Sequence, residues 1–436
     1  MGDVLNKPSR TEATPPPSPA EQARPSRTPA TLSPLRRPLF AGVWLANTVS
    51  NLGGQMQAVG AAWLMTSLTS DPSTISLVTG AGLAPMLLFS LVAGAVADAV
   101  DRRLVLLVAQ LGMFAASAAL TWLAATGHIT PASLIALTFL IGTGFAFNAP
   151  AWQASVRQLV PPTFVPAAIS LNVAGWNLSR TAGPALGGVV VAWGGAQASF
   201  GINTVSYIAL LLVLATWLRR PAKTEPVQPE PMLRAIRAGL AHVAQTSELR
   251  RIAVRVAVFG LPLGALMALI PIVVRELGAG PGGMGLVFGC SGGGAVLGAF
   301  AANPVRERLG VEPMLRIATL AVAGGMAAVG WSDALWLTAA AEVITGFAAT
   351  MAYVTLNLLM QVRAPRALLG RVLSIQQMAA LGGLAVGAWL WGEVADGVGA
   401  GSALLVAAVA MTGVLLLNFT KPLADLPRNF KLEGPH

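Results

Sequence analysis

The sequence predicts an all-α polytopic membrane protein of twelve transmembrane helices, and three observations predict it. Of 436 residues, 55% are hydrophobic and only 11% charged, whereas about a quarter of the residues of a soluble domain are charged. The apolar residues form runs of about twenty or more, each able to cross a hydrocarbon core of about 30 Å at about 1.5 Å per residue. Arginines gather in every second connection between those runs, the pattern expected of cytoplasmic loops.

The runs place spans at about 39–67, 74–97, 104–126, 131–157, 165–193, 198–218, 250–274, 283–303, 312–330, 334–361, 368–395 and 400–420. An even count puts both termini on one side. Arg36, Arg37, Arg102, Arg103, Arg157, Arg219, Arg220, Arg306, Arg308, Arg316, Arg363, Arg366, Arg371 and Lys421 share one face. Opposite them stand Asp71, His128, Arg275, Glu276, Asp333, Glu393 and Asp396. Both termini are therefore expected in the cytoplasm.

Flanking arginines account for the net charge of +10, so no nucleic-acid partner is expected. One cysteine, Cys290, and three histidines leave no disulfide within the chain, no multi-cysteine metal site and little catalytic chemistry. No Gly-x-x-x-x-Gly-Lys-Ser/Thr loop is present to hold ATP. Four lysines among 28 basic residues, with abundant Ala and Gly, point to a high-GC bacterial gene.

Five segments follow. Residues 1–37 are rich in Pro, Ser, Thr and Arg and are expected to be a disordered cytoplasmic tail. Residues 38–218 hold six spans, and 219–247 form a proline-rich cytoplasmic linker that ends in the amphipathic-looking Leu233 to Arg237. Residues 248–421 hold six more spans, and 422–436 a second tail. The halves repeat at an offset of 204 residues: Gly94 to Arg102 aligns with Gly298 to Arg306, and Ile169-Ser170-Leu171-Asn172 with Leu373-Ser374-Ile375-Gln376.

Between the second and third spans, Gly94, Asp98, Asp101, Arg102 and Arg103 form a dense charged loop. Gly94 removes a side chain where another helix can approach, and Asp98 can sit at the positive N-terminus of a neighbouring helix, worth about 0.3–1 kcal/mol when exposed. Gly94, Asp98, Arg102 and Arg103 resemble the Gly-x-x-x-Asp-x-x-Gly-Arg-Arg/Lys signature of the major facilitator superfamily. Asp101 departs from its Gly, in a form similar to the enterobactin-exporter-like transmembrane secretion effector branch. The resemblance covers residues 38 to 421 and implies the major facilitator fold of two six-helix repeats, with this loop gating cytoplasmic closure. In the second copy Ala302 replaces the aspartate, so the latch is one-sided.

Within the spans, Asn47, Asn51 and Gln55 recur every four residues, laying three amides on one helix face, with Gln57 nearby. Such amides face water or other helices, because unsatisfied amides in hydrocarbon are costly. The family's use of the first, fourth, seventh and tenth helices as cavity walls favours water. Asn148 and Gln153, with Pro150 and Trp152, give the fourth span a polar, bent segment expected to face the cavity, and Tyr353 and Asn357 stand in the corresponding part of the tenth. In the fifth span Gly183-Pro184-Ala185-Leu186-Gly187-Gly188 resembles the antiporter signature, and Pro184 deprives the carbonyl of Arg180 of its helical donor, which predicts a kink. Arg180 is the basic residue deepest in a span and Glu342 the carboxylate deepest in one, at similar depths, so the two are expected to pair and to couple protons to motion.

The sequence thus reads as a bacterial inner-membrane secondary transporter, not an enzyme. The antiporter-like fifth span and the family resemblance imply export of a small amphipathic solute such as a siderophore, drug or metabolite against protons, and no cofactor beyond the proton gradient is expected. Its partners are the lipid bilayer, the small-molecule substrate and protons, and it is expected to act as a monomer. Lysophospholipid or uniport facilitation, and a non-transporting scaffold or sensor, are the alternatives. The charge census makes a direct prediction: reporter fusions after residues 220 and 421 both report cytoplasm, and one near Asp333 reports the opposite compartment. A single fusion on the wrong side breaks the twelve-span assignment.

Overall fold

The computed structural model describes residues 32–218, 232–365, 368–420 and 422–423, without the side chains of residues 98, 99, 157 and 232–236. Helices begin where the sequence supplies start signals. Proline opens α1 (Pro38–Leu68), α2 (Pro72–Ala99) and α4 (Pro131–Leu159), where its missing N–H costs nothing. Asp71 caps α2 by accepting from the backbones of Ser73 and Thr74, at 3.1 Å each. The Thr74 hydroxyl, with that of Ser73, holds this carboxylate down at about 2. Asp101 caps α3 (Arg102–Ala125), and Thr130 with Ser133 forms a capping box on α4.

The long helical segment Val165–Leu218 breaks at Gly195, whose φ of 72° favours glycine, into α5 (165–194) and α6 (196–218). The linker contributes α7 (Met232–Gln245), followed by α8 (Ser247–Glu276), α9 (Pro281–Leu309) and α10 (Val311–Trp331). Then come α11 (Leu335–Arg363), α12 (Leu369–Val398) and α13 (Ala400–Thr420).

Ten helical segments among the described residues are long and apolar enough to cross a membrane, and one of them is the segment broken at Gly195. The first helix is not among the ten, and its amides at 47, 51, 55 and 57 dilute its apolar stretch. Counting the broken segment as two and adding the first helix gives the twelve expected spans. The largest boundary difference is in α9, which runs on through Arg306 and Arg308 to Leu309. Trp122, Trp193, Trp331 and Trp336, all 64% to 84% exposed, stand at helix ends on the face opposite the arginines, as an interfacial aromatic belt does.

The tail read as disordered is ordered at its end, and the linker carries a helix over its amphipathic stretch. Ser33–Arg36 form a 3₁₀ turn that packs against α1 and buries Pro34, while residues 1–31 lie outside the described residues. In the linker, α7 rests on α8 and α12, with Val243 in the core and Gly239 against Arg371, while residues 219–231 lie outside the described ones.

Within the first half α1 packs on α5 and α6, α2 on α4, and α3 on α4 and α6. In the second half α8 packs on α12, α9 on α11 and α10 on α13. The halves meet through α2 against α12 and α5 against α9.

The repeat is also visible in an end-capping device. Arg103 donates to the Trp217 carbonyl at 3.2 Å with its guanidinium 5.0 Å from the indole, at the end of α6. Arg316 donates to the Asn418 carbonyl at 3.2 Å and lies 4.0 Å from the Phe419 ring, at the end of α13. Each cation meets the negative end of a helix and an aromatic face.

Beside the second device lies a buried ion pair that the sequence did not advertise. Arg255 Nη1 and Glu312 Oε1 are 2.7 Å apart, Arg255 also donates to the Leu417 carbonyl at 3.0 Å, and Leu423 N donates to Glu312. Removing one member of such a pair strands the other and costs about 3–5 kcal/mol, whereas removing both is far milder. Arg255→Ala is therefore expected to lower the thermal unfolding midpoint in detergent by several degrees, and Arg255→Met with Glu312→Met to recover most of it. Equal losses in the single and double variants would show that the pair does not hold this corner together.

Candidate functional site

The site is a polar space between the halves, and the small residues of α5 position it. Leu171, Gly175, Ser179, Gly183 and Gly187 recur every four residues and turn towards α1. Trp44 Nε1 donates to the Leu171 carbonyl at 2.9 Å, and Ser179 Oγ to that of Thr48 at 3.1 Å. A Cβ on Gly183 or Gly187 would press into Gln55 or Met56. A second face carries Thr181, Ala185, Gly188 and Ala192 towards α9, opposite Gly292, Gly289, Gly285 and Gly282. A Cβ on Gly188 would collide with the Cα of Gly285. The glycines of the signature-like stretch thus serve close approach on two faces. The expected kink leaves no break at Pro184, since Gly195 is where helical φ/ψ is lost within 165–218.

These contacts also set the conformation. Between the halves they run from the face opposite the arginines to about mid-membrane: Ala192 to Thr181 on α5, and Ser76 to Leu87 on α2 against Gly392 to Gly382 on α12. Beyond them, Ile169 and Val173 are exposed. A methyl group added at Gly94 or Gly370 would meet nothing within 4 Å. The halves are sealed on one face and apart on the arginine-rich face. Gly94, expected where another helix can approach, has no helix packed against it in this structure. Asp98's side chain lies outside the described residues; Asp101 accepts from Arg103 N at 3.0 Å, and Arg102 Nε donates to the Ala97 carbonyl at 3.3 Å.

On α5, Leu178, Leu186, Val189 and Trp193 form the outward, lipid-side face, 44% to 84% exposed. Arg180 lies on the other side, between the α1-facing and α9-facing rows, and is exposed into the space between the halves. It makes no ion pair among the described residues, and its charge acts on Tyr353 of α11 in the opposite half. One turn away on the same helix, Trp176 stacks on Phe145 of α4 with ring centroids 5.5 Å apart.

The expected Arg180–Glu342 pair is absent. Glu342 is 2% exposed, takes a hydrogen bond from Ser291 of α9 and has one carboxyl oxygen without a partner. Ser291 faces Glu342 while its neighbour Gly292 touches Thr181, so Arg180 and Glu342 share a depth but α9 stands between them.

The amides divide. Asn47 is buried, Asn51 and Gln55 are half-buried, and Gln153 is exposed. Gln57 accepts from Ser117 and Asn203, each at 2.7 Å, tying α1 to α3 and α6. Asn148, expected in the cavity, is instead buried and accepts from Gln110 at 3.0 Å, because α3 offers it a donor. Tyr353 donates to Gln377 at 3.2 Å and Asn357 to Gln376 at 3.4 Å, so the α11 residues line the α12 side of the space.

A family model described as transmembrane secretion effector matches residues 29–430. The chain belongs to that family. It is 26% identical over 386 residues, 86% of this chain and 93% of the relative, to the multidrug efflux pump Tap of Mycolicibacterium fortuitum. It is 30% identical over 165 residues, 37% of this chain and 42% of the relative, to the staphyloferrin A transporter of Staphylococcus aureus. Among solved structures, a bacterial homologue of the human lysosomal transporter Spinster, inward-facing and occupied, superposes with a TM-score of 0.70 at 13% identity, covering 89% of this chain and 97% of that one. That likeness shows the fold, the major facilitator fold, and the family makes the chain a secondary transporter.

With α9 between them, Arg180 and Glu342 are expected to act independently on stability. Arg180→Gln and Glu342→Gln should add within about 0.5 kcal/mol in thermal unfolding. A coupling energy above about 1 kcal/mol would restore the direct pair.

Proposed function

We propose that this protein exports a small amphipathic solute from the bacterial cytoplasm in exchange for protons, by rocking its two halves about the space that holds Arg180. The observation that carries the reading is that this polar space is sealed on one face and open on the arginine-rich one, which is one state of an alternating-access cycle. In this reading the arginine-rich face is cytoplasmic, as loop charge supports, with both termini inside and the inner membrane as its location. The relative named as a multidrug efflux pump supports the export direction. The proton gradient serves as the energy source with no bound cofactor, the working unit is a monomer, and the task is movement of solute rather than covalent chemistry. Glu342, buried with an unpartnered oxygen, is our candidate proton carrier.

A second reading, facilitation of a lipid-like solute, is favoured by one observation. A groove of about 260 Å³ between α2 and α12 is lined by apolar residues alone, among them Leu77, Ala81, Leu87, Val386 and Trp389. It lies at hydrocarbon depth, where an acyl chain fits.

Inside-out vesicles decide between the two. Under antiport, solute accumulates only while a proton gradient is maintained, and a protonophore abolishes accumulation. Glu342→Gln should reduce it at least about tenfold, about 1.4 kcal/mol, with protein abundance unchanged. Movement that persists after the gradient is collapsed favours facilitation.

A further inference from the structure

We infer that Arg180 is the counter-charge for the solute, and that the transported class is amphipathic organic anions carrying a carboxylate, phenolate or similar group on an apolar, aromatic-sized body. The inference deepens the transport reading and rests on it. A guanidinium at mid-membrane depth is costly unless something answers its charge. Among the described residues nothing does: Arg180 is exposed in the space between the halves, forms no ion pair, and is walled from Glu342 by α9. At the mouth of that space Glu248 is already taken by Arg363 at 3.2 Å. Water answers the charge while the space is open, and an anionic group of the solute answers it once water is displaced.

The surroundings suit the rest of such a molecule. The Trp176–Phe145 stack, one turn along, offers an apolar aromatic face, and Tyr353 with Gln377 offers neutral polar groups from the opposite half. A planar guanidinium binds carboxylate oxygens in a two-point geometry that no amide reproduces. A cation placed here meets like charge in a low-dielectric space, so the same residue rejects it. An anion bridging Arg180 on α5 to Tyr353 on α11 also contacts both halves, which is what a solute must do to bias their rocking.

Two dyes with one xanthene body and opposite charge provide the test. Fluorescein, as its dianion, and rhodamine 6G, a cation, are titrated against purified full-length protein in detergent and followed by anisotropy at low salt. Wild type is expected to bind fluorescein at least about tenfold more tightly than rhodamine 6G, about 1.4 kcal/mol. Arg180→Gln should weaken fluorescein by a similar factor and leave rhodamine 6G unchanged or tighter. Arg180→Lys should keep the anion preference, and Trp176→Leu should weaken both dyes alike. Fluorescein methyl ester, compared with fluorescein on wild type, tests the charge from the ligand side should any variant fail to fold. Rhodamine 6G binding as tightly as fluorescein, no fluorescein binding by wild type, or full fluorescein affinity in Arg180→Gln overturns the inference. Binding at equilibrium needs no gradient, so loss of proton coupling in vesicles would sink the antiport reading and leave this one standing.

Discussion

Hydrocarbon offers a polar group no partner, and that constraint sorts the main hydrophilic side chains within the described spans. Gln57, Ser117 and Asn203 answer it by bonding to one another across three helices, and Asn148 by bonding to Gln110. Arg103 and Arg316 answer it at helix ends, where carbonyls left without intrahelical donors receive them. Arg255 and Glu312 answer it as a buried pair. Arg180 is answered by none of these and is exposed in the space between the halves.

The same constraint explains why small residues carry the contacts between helices. Lipid tails are as apolar as leucine, so helices gain little from hiding leucines against each other and much from close backbone approach. On α5 one row of small residues meets α1 in the same half and another meets α9 in the other half. The first is an internal seam of the half. The second joins the two halves, and glycine against glycine, as at Gly188 and Gly285, gives a contact with no side chain to interlock.

The two halves repeat in backbone and in their capping arginines but not in charge. Asp98 has Ala302 as its counterpart, and Ala302 is fully buried. The first half presents Arg180 to the central space, and the second keeps its deep carboxylate, Glu342, behind α9. Duplication thus provided two similar bundles whose deep charges differ in sign and in setting.

By itself the sequence determined the spans, the side on which the arginines lie, the start signals at Pro38, Asp71, Asp101 and Thr130, and the repeat, because hydropathy, capping and loop charge are local properties of the chain. Depth was legible too, since it is a count of residues along a helix: Arg180 and Glu342 were placed level, and they are. Adjacency was not. Which helix stands between two others depends on how twelve rods of similar apolarity pack, and only the tertiary structure put α9 between Arg180 and Glu342. For the same reason it alone showed Asn148 turned into the α3–α4 seam, Arg255 joined to Glu312, and Gly94 facing open space. Each is a relation between distant parts of the chain, fixed by packing rather than by any local pattern.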